Sequence, residues 1–171
     1  ILKALLALVA AFPVWAPPAT PTPSVAPIPQ VYPQFYIPPH APVALTVEEQ
    51  LLFDGGNAER ARAGLRPLLL DPGLVVIARQ RAATMRSTGV LSHDGFDAAI
   101  RGAGYVVNWE GENLIMNAYD SPHVGAPKAL EQTMHSPSHR ANLLAPDFVF
   151  VGVGEAGDER EHWYAVEFVS N

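Results

Sequence analysis

The sequence predicts an α+β fold in which helices flank a small, mainly antiparallel sheet. Three observations support this. Capped amphipathic stretches of helical period fill residues 46–104, apolar residues then alternate with period two, and an acidic, glycine-containing connection at 155–161 joins two such alternating runs as a hairpin would.

The helices come first. Thr46-Val47-Glu48-Glu49 fits a capping box, in which a threonine side chain and a glutamate side chain each satisfy an amide left open at a helix start. The helix it opens should run to about Ala63. Gly55 and Gly56 inside it each cost about 1 kcal/mol relative to alanine, which predicts close packing or a kink there. Asp71-Pro72 caps a second helix with Leu74, Ile77, Ala78, Ala82 and Met85 on one face, ending near Gly89. A third, shorter helix starts at Asp94, buries Phe96, Ala99, Ile100 and Ala103, and is closed by Gly102 and Gly104. Residues 106–117 read as the first strand. Pro127 opens a helix over 128–135 that Pro137 stops, and Ser136-Pro137 reads as the cap and first residue of the next segment. Phe148 to Val153 alternate as a second strand, and Trp163 to Val169 form a third. No internal repeat is visible.

At 171 residues the chain holds one domain with a real core. Residues 1–16 carry a single cation, an apolar run and the small-residue end Val14-Trp15-Ala16, which reads as a signal peptide. The run is too short for a spanning helix and Pro13 interrupts it, so no transmembrane span is expected in the mature protein. Residues 17–44 hold ten prolines and read as an extended linker, with Tyr32, Phe35 and Tyr36 available to dock on the domain or a partner. The folded domain is expected over 45–171. Ten basic and seventeen acidic side chains follow Leu45, a balance that argues against nucleic acid. The absence of cysteine excludes disulfides, zinc fingers and thiol nucleophiles, and in an exported domain it favours a bacterial source.

Groups able to bind metals or move protons concentrate in Ser92-His93-Asp94, Gly111-Glu112-Asn113 and Ser136-Pro137-Ser138-His139-Arg140. Taken singly, a histidine at a helix boundary is more often a cap or a core residue than a ligand. Glu112 in mid-strand must be paired, hydrogen-bonded or protonated if its face is buried. His135 and His139 have the i, i+4 spacing of a zinc-binding helix, but Pro137 places them on different elements and Ser136 stands where the motif needs glutamate. A serine hydrolase is also poorly supported. Ser92 and Ser138 adjoin histidines only in sequence, and no Gly-x-Ser-x-Gly elbow exists.

Several pieces occur together in order. They are Asn57-Ala58-Glu59-Arg60, Gly64-Leu65-Arg66-Pro67-Leu68, Leu91-Ser92-His93, Gly111-Glu112-Asn113-Leu114, Ser136-Pro137-Ser138-His139-Arg140-Ala141-Asn142-Leu143 and Val151-Gly152-Val153-Gly154, followed by the aromatic strand ending at Phe168. From Leu51 to Val169 the chain resembles bacterial SCP-like members of the CAP superfamily, which comprises the cysteine-rich secretory, antigen 5 and pathogenesis-related proteins. The resemblance implies a three-layer α-β-α sandwich and a cleft shared by His93, Glu112 and His139. In some members the histidines hold zinc or another divalent cation, which His93 and His139 would do here. Three positions depart from the pattern: Ser136 replaces a second glutamate, Thr133 a tryptophan and Val166 a glutamine.

The function this implies is an extracytoplasmic module whose ligand is a small molecule, a lipid or a cell-envelope component. A metal-assisted hydrolase in which Glu112 activates a water is the alternative enzyme reading. An envelope interaction protein acting through its surface is the third.

Overall fold

The computed structural model describes residues 35–118, 122–158 and 160–170. The expected signal peptide at 1–16, and the linker up to residue 34, lie outside the described residues.

The domain opens with α1 (Val47–Arg62), whose start carries both halves of the Thr46/Glu49 capping box. Its two glycines serve close packing rather than a kink. A Cβ at Gly55 would sit 2.6 Å from Leu130 Cδ2, and one at Gly56 3.2 Å from Leu143 Cδ1. A two-residue strand, β1 (Leu69–Leu70), was not expected; it is held by parallel pairing with Phe150 and Val151. Next, α2 (Pro72–Thr88) starts at the predicted Asp71 cap, where Leu74 N donates to Asp71 Oδ1 at 2.9 Å. The short α3 (Phe96–Gly102) begins two residues later than expected, because Gly95 at φ 81° turns the chain into it.

The first long strand, β2 (Glu110–Asn117), is shorter than the expected 106–117. Val106 is instead used in an isolated bridge to Tyr36, with Tyr36 N donating to Val106 O at 2.7 Å and Val106 N to Tyr36 O at 2.9 Å. Phe35 stacks on Phe150, and His40 on Tyr105. The described end of the proline-rich segment therefore touches the domain through Phe35, Tyr36 and His40, while Tyr36 and residues 39–42 stay exposed. The next helix, α4 (Pro122–His135), starts earlier than expected and carries Pro127 inside it. Proline removes one backbone bond there, yet the fully buried Ala126 and Ala129 on either side seat this turn in the core and keep it helical. Ser136 has extended backbone and Pro137 opens α5 (Pro137–Leu143) as predicted. The hairpin of β3 (Phe148–Gly157) and β4 (His162–Ser170) completes the chain.

The sheet has the order β1-β3-β4-β2, parallel only between β1 and β3, so it is mainly antiparallel as expected. Every described residue of the central strand β4 is buried, and its alternation sorts the core into two halves. Tyr164, Val166 and Phe168 pack with Leu52, Ala126, Ala129 and Leu143 from α1, α4 and α5. Trp163, Ala165 and Val169 face α2 and α3. Helices on both faces of the sheet make the three-layer α-β-α sandwich. On the α2 face β3 presents Gly152 and Gly154, where a Cβ would fall 2.1 Å from the Leu74 carbonyl carbon and 2.2 Å from that of Ala78. Helix α2 thus lies directly on the β3 backbone. This seats its apolar stripe against the sheet, and with it Arg81, which occupies a stripe position beside Ala78 and Ala82. Among the described residues no helix is long and apolar enough to cross a membrane.

Candidate functional site

A cation on the buried stripe of a helix needs a partner, and Arg81 has one in Glu112. Its Nε donates to Glu112 Oε1 at 2.7 Å and its Nη2 to Oε2 at 3.2 Å. The two side chains are 12% and 1% exposed, a buried forked ion pair of the strong, geometrically specific kind. The same guanidinium donates to the carbonyls of Ser92 and Asp94, both at 2.6 Å. Arg81 therefore grips the loop on both sides of His93 while holding the carboxylate that His93 meets. His93 Nδ1 lies 2.6 Å from Glu112 Oε2. An ionised carboxylate can only accept, so Nδ1 donates, and in the neutral imidazole this tautomer keeps the lone pair on Nε2. The His93 side chain is 63% exposed and can meet a ligand.

Successive strand residues point to opposite faces, and Glu112-Asn113 uses this to reach both helical layers. Glu112 points to the α2 layer. Asn113 points to the other, where its Nδ2 donates to His139 O at 2.9 Å and its Oδ1 accepts from Asn142 Nδ2 at 3.0 Å. Asn142 Nδ2 also reaches Glu112 O at 3.3 Å. One dipeptide on the edge strand β2 thus ties the His93 loop to α5, which carries His139. Burial lowers the His139 pKa, and the charge of His93 lowers it further, so His139 favours the neutral imidazole and lies within electrostatic reach of His93.

A second glutamate does approach Glu112, though from β4 rather than from position 136. Glu167 pairs directly across from Glu112 in the β2–β4 register and is completely buried. Two carboxylates can only accept, and neither Glu167 oxygen has a donor. Burial, and next the Glu112 charge, hold the Glu167 carboxyl well above the ordinary carboxylate range. In that protonated state its O–H can donate to Glu112. The other departures are packing: Thr133 and Val166 are buried, and Val166 joins the α1 side of the core.

The remaining candidates are engaged elsewhere. His135 ends α4 and its Nδ1 lies 2.8 Å from Glu131 O, on a different helix from His139. Ser92 Oγ accepts from Asp94 N at 3.1 Å, and Ser138 Oγ lies 3.3 Å from Ser136 Oγ. A concavity of about 350 Å³ lined by Arg101, Tyr105, Trp109 and Glu110 includes neither His93 nor His139. Its wall carries Glu110, pushed up to about 7 by burial and by its hydrogen bond to Asp97.

The sequence reading missed Arg81, Glu167 and a further group in which Glu48, Glu155 and His162 bring one ligand atom each within 4.8 Å of one another. Arg81 had a signal, its place among Ala78, Ala82 and Met85. Glu155 falls in the connection expected at 155–161, whereas it lies on β3.

The model of the cysteine-rich secretory protein (CAP) family matches residues 53–168. The chain belongs to the CAP family. It is 30% identical over 120 residues to the uncharacterized protein YkwD of Bacillus subtilis, covering 67% of this chain and 44% of that protein. A crystal structure of an extracellular protein containing an SCP domain from Bacillus anthracis matches with a TM-score of 0.63 and 26% identity, over 72% of this chain and 40% of that one. A structure of NaASP2 with Zn²⁺ has a TM-score of 0.53 at 10% identity, over 71% of this chain and 78% of that one, and so shares the fold. This CAP chain spans less than half the length of the two Bacillus proteins it matches.

Proposed function

We propose that this CAP domain is an extracytoplasmic binding module that holds a divalent cation, such as zinc, between His93 and His139 at the edge of β2. The cation would complete its coordination with a group from a small-molecule, lipid or cell-envelope ligand. The supporting observation is the Arg81–Glu112–His93 relay. A metal-binding histidine commonly donates its other ring N–H to a carboxylate, which fixes the tautomer and aims the free nitrogen, and Glu112 meets His93 in that way. The donor chemistry fits, because the second imidazole is kept neutral by burial and neutral imidazole is a suitable zinc ligand. Glu112 is then a positioning residue rather than a ligand. The Zn²⁺-bound relative and the extracellular Bacillus protein agree with this reading.

The hydrolase alternative asks Glu112 to activate a water. Both its oxygens are already committed to Arg81 and His93, which favours the binding module. Calorimetric titration of Zn²⁺ onto the purified chain tests the reading. Binding should weaken from pH 7.5 to 5.5, because protons compete for imidazoles with an ordinary pKa of about 6.5. The double variant H93A/H139A should lose the cleft's one equivalent, and an unchanged zinc stoichiometry in it would remove the metal from the proposal.

A further inference from the structure

Away from the His93 cleft, three elements converge on another set of ligating groups. Glu48 is the second residue of α1, Glu155 lies near the end of β3, and His162 begins β4. Their side chains are 7%, 17% and 7% exposed. His162 Nδ1 lies 3.2 Å from Glu48 Oε1 and 3.2 Å from Glu155 Oε1. Tyr164 O–H donates to the other Glu48 oxygen, Oε2, leaving Oε1 turned toward the histidine. Bare backbone borders the group on two sides. A Cβ at Gly157 would lie 2.4 Å from Glu155 Oε1 and 2.8 Å from His162 Nδ1, and one at Gly125 would lie 2.7 Å from the Tyr164 hydroxyl.

The distances distinguish two explanations. A charge-assisted N–H···O contact to a carboxylate measures about 2.7–2.9 Å, and the His93 Nδ1–Glu112 contact is as short, at 2.6 Å. Here one nitrogen stands 3.2 Å from an oxygen of each of two carboxylates, a long hydrogen bond in the case of Glu155 and in neither case as short as a charge-assisted contact. In a tetrahedral zinc site with bonds of about 2.0–2.2 Å, neighbouring donors stand about 3.4 Å apart, close to the spacing found. Charge points the same way. With a neutral imidazole the group holds two largely buried carboxylates, and Glu49 adjoins it, though Glu49 is paired with Arg79. A dication would be attracted by the charge of these two carboxylates.

We propose that Glu48, Glu155 and His162 form a second divalent-cation site, suited by its one nitrogen and two oxygen donors to zinc or a similar borderline transition metal. The ion would fasten the start of α1 to the β3–β4 hairpin, and the partly exposed Glu155 side leaves room for water to complete its coordination. The site is independent of the His93/His139 reading.

The test is Zn²⁺ titration of the full chain by calorimetry, with thermal denaturation in parallel. Wild type should bind two equivalents, H93A/H139A one, and E155Q one. The equivalent remaining in H93A/H139A should raise the thermal midpoint, and adding E155Q should weaken it at least tenfold. Because Gln replaces Glu155 at nearly constant shape and the side chain is partly exposed, E155Q should fold as wild type by circular dichroism. An H93A/H139A chain that binds no zinc, or an E155Q chain that still binds two equivalents, overturns this site and leaves the cleft standing. An H93A/H139A chain that retains all of the wild-type binding, with E155Q abolishing it, supports this site and removes the cleft.

Discussion

Replacing Glu167 by glutamine should stabilise the protein, and the gain should grow with pH. Glu167 is 0% exposed, lacks a hydrogen-bond donor at either oxygen and faces Glu112 across the β2–β4 register. Arg81 lies near enough to favour its ionisation and Glu110 near enough to oppose it, but burial and Glu112 dominate and raise its pKa well above the ordinary value. The sign follows from proton counting. An acid whose pKa is raised by folding binds its proton more tightly in the folded chain, so its favourable contribution is complete below the unfolded value of about 4.3 and is lost as pH rises toward the folded value. Over each pH unit in which Glu167 is protonated when folded and ionised when unfolded, the wild type loses about 1.4 kcal/mol. E167Q carries no such proton, keeps the shape, and can donate its amide to Glu112. The stability gap should therefore open by about 1.4 kcal/mol per pH unit above about pH 4.3 and level off only where folded Glu167 ionises. Urea unfolding followed by circular dichroism at pH 4.5, 5, 6 and 7, with the slopes checked for constancy, measures it. A gap that does not change with pH, or an E167Q protein less stable than wild type at pH 7, would refute the argument.

Arg81→Ala leaves the buried Glu112 carboxylate without its forked partner and should cost about 3–5 kcal/mol in urea unfolding; a loss under about 1 kcal/mol would mean the pair is solvated. Lysine at 81 should fall between, because a point charge cannot serve both oxygens and two carbonyls. Gly152→Ala puts a methyl 2.1 Å from the Leu74 backbone and should cost at least the 1–3 kcal/mol or so typical of overpacking, because backbone cannot turn aside as a side chain can. An unchanged melting temperature would show that α2 slides freely on β3. Export with cleavage near Ala16 should give a new N-terminus between Ala16 and Ala19 by mass spectrometry, and an intact N-terminus on membrane-bound protein would mean an anchor.

What the sequence revealed was local. The Thr46 and Asp71 caps, the αL glycine after α2 and the Ser136-Pro137 junction depend on neighbours a few residues away, and each was found where the pattern put it. The errors fell where distant contacts decide. Val106 has strand composition but spends its bonds on Tyr36, Pro127 is overruled by the packing of Ala126 and Ala129, and β1 exists only because β3 passes beside it. The site divides in the same way. His93, Glu112 and His139 were reached through family resemblance, and Arg81 could have been inferred as a charge on an apolar stripe. Glu167 looked like an unremarkable strand residue until the register set it opposite Glu112, and no spacing rule links Glu48 to Glu155 and His162.

The two ligating groups differ in how the sheet supports them, and that difference bears on which can respond to a ligand. The His93–Glu112 contact is carried by an edge strand and by a loop, with the histidine largely in solvent and its aim set by Glu112, which Arg81 holds from the helix above. Small changes at the loop should alter how His93 presents Nε2 while leaving the core intact, as suits a site that captures something from outside. The Glu48–Glu155–His162 group sits instead on the first turn of α1 and on the paired strands β3 and β4, with Tyr164 bonding Glu48 from the central strand. The backbone beneath each of its donors belongs to a packed helix or strand. Zinc at the first group should therefore exchange readily with chelators and with the pH of the medium, whereas an ion at the second should be released slowly and raise the thermal midpoint for as long as it stays. Release measured with a colorimetric chelator should be slower from H93A/H139A, which keeps the second group, than from E155Q, which keeps the first, and equal rates would mean that the rigidity of the second group gives it no advantage in retaining its ion.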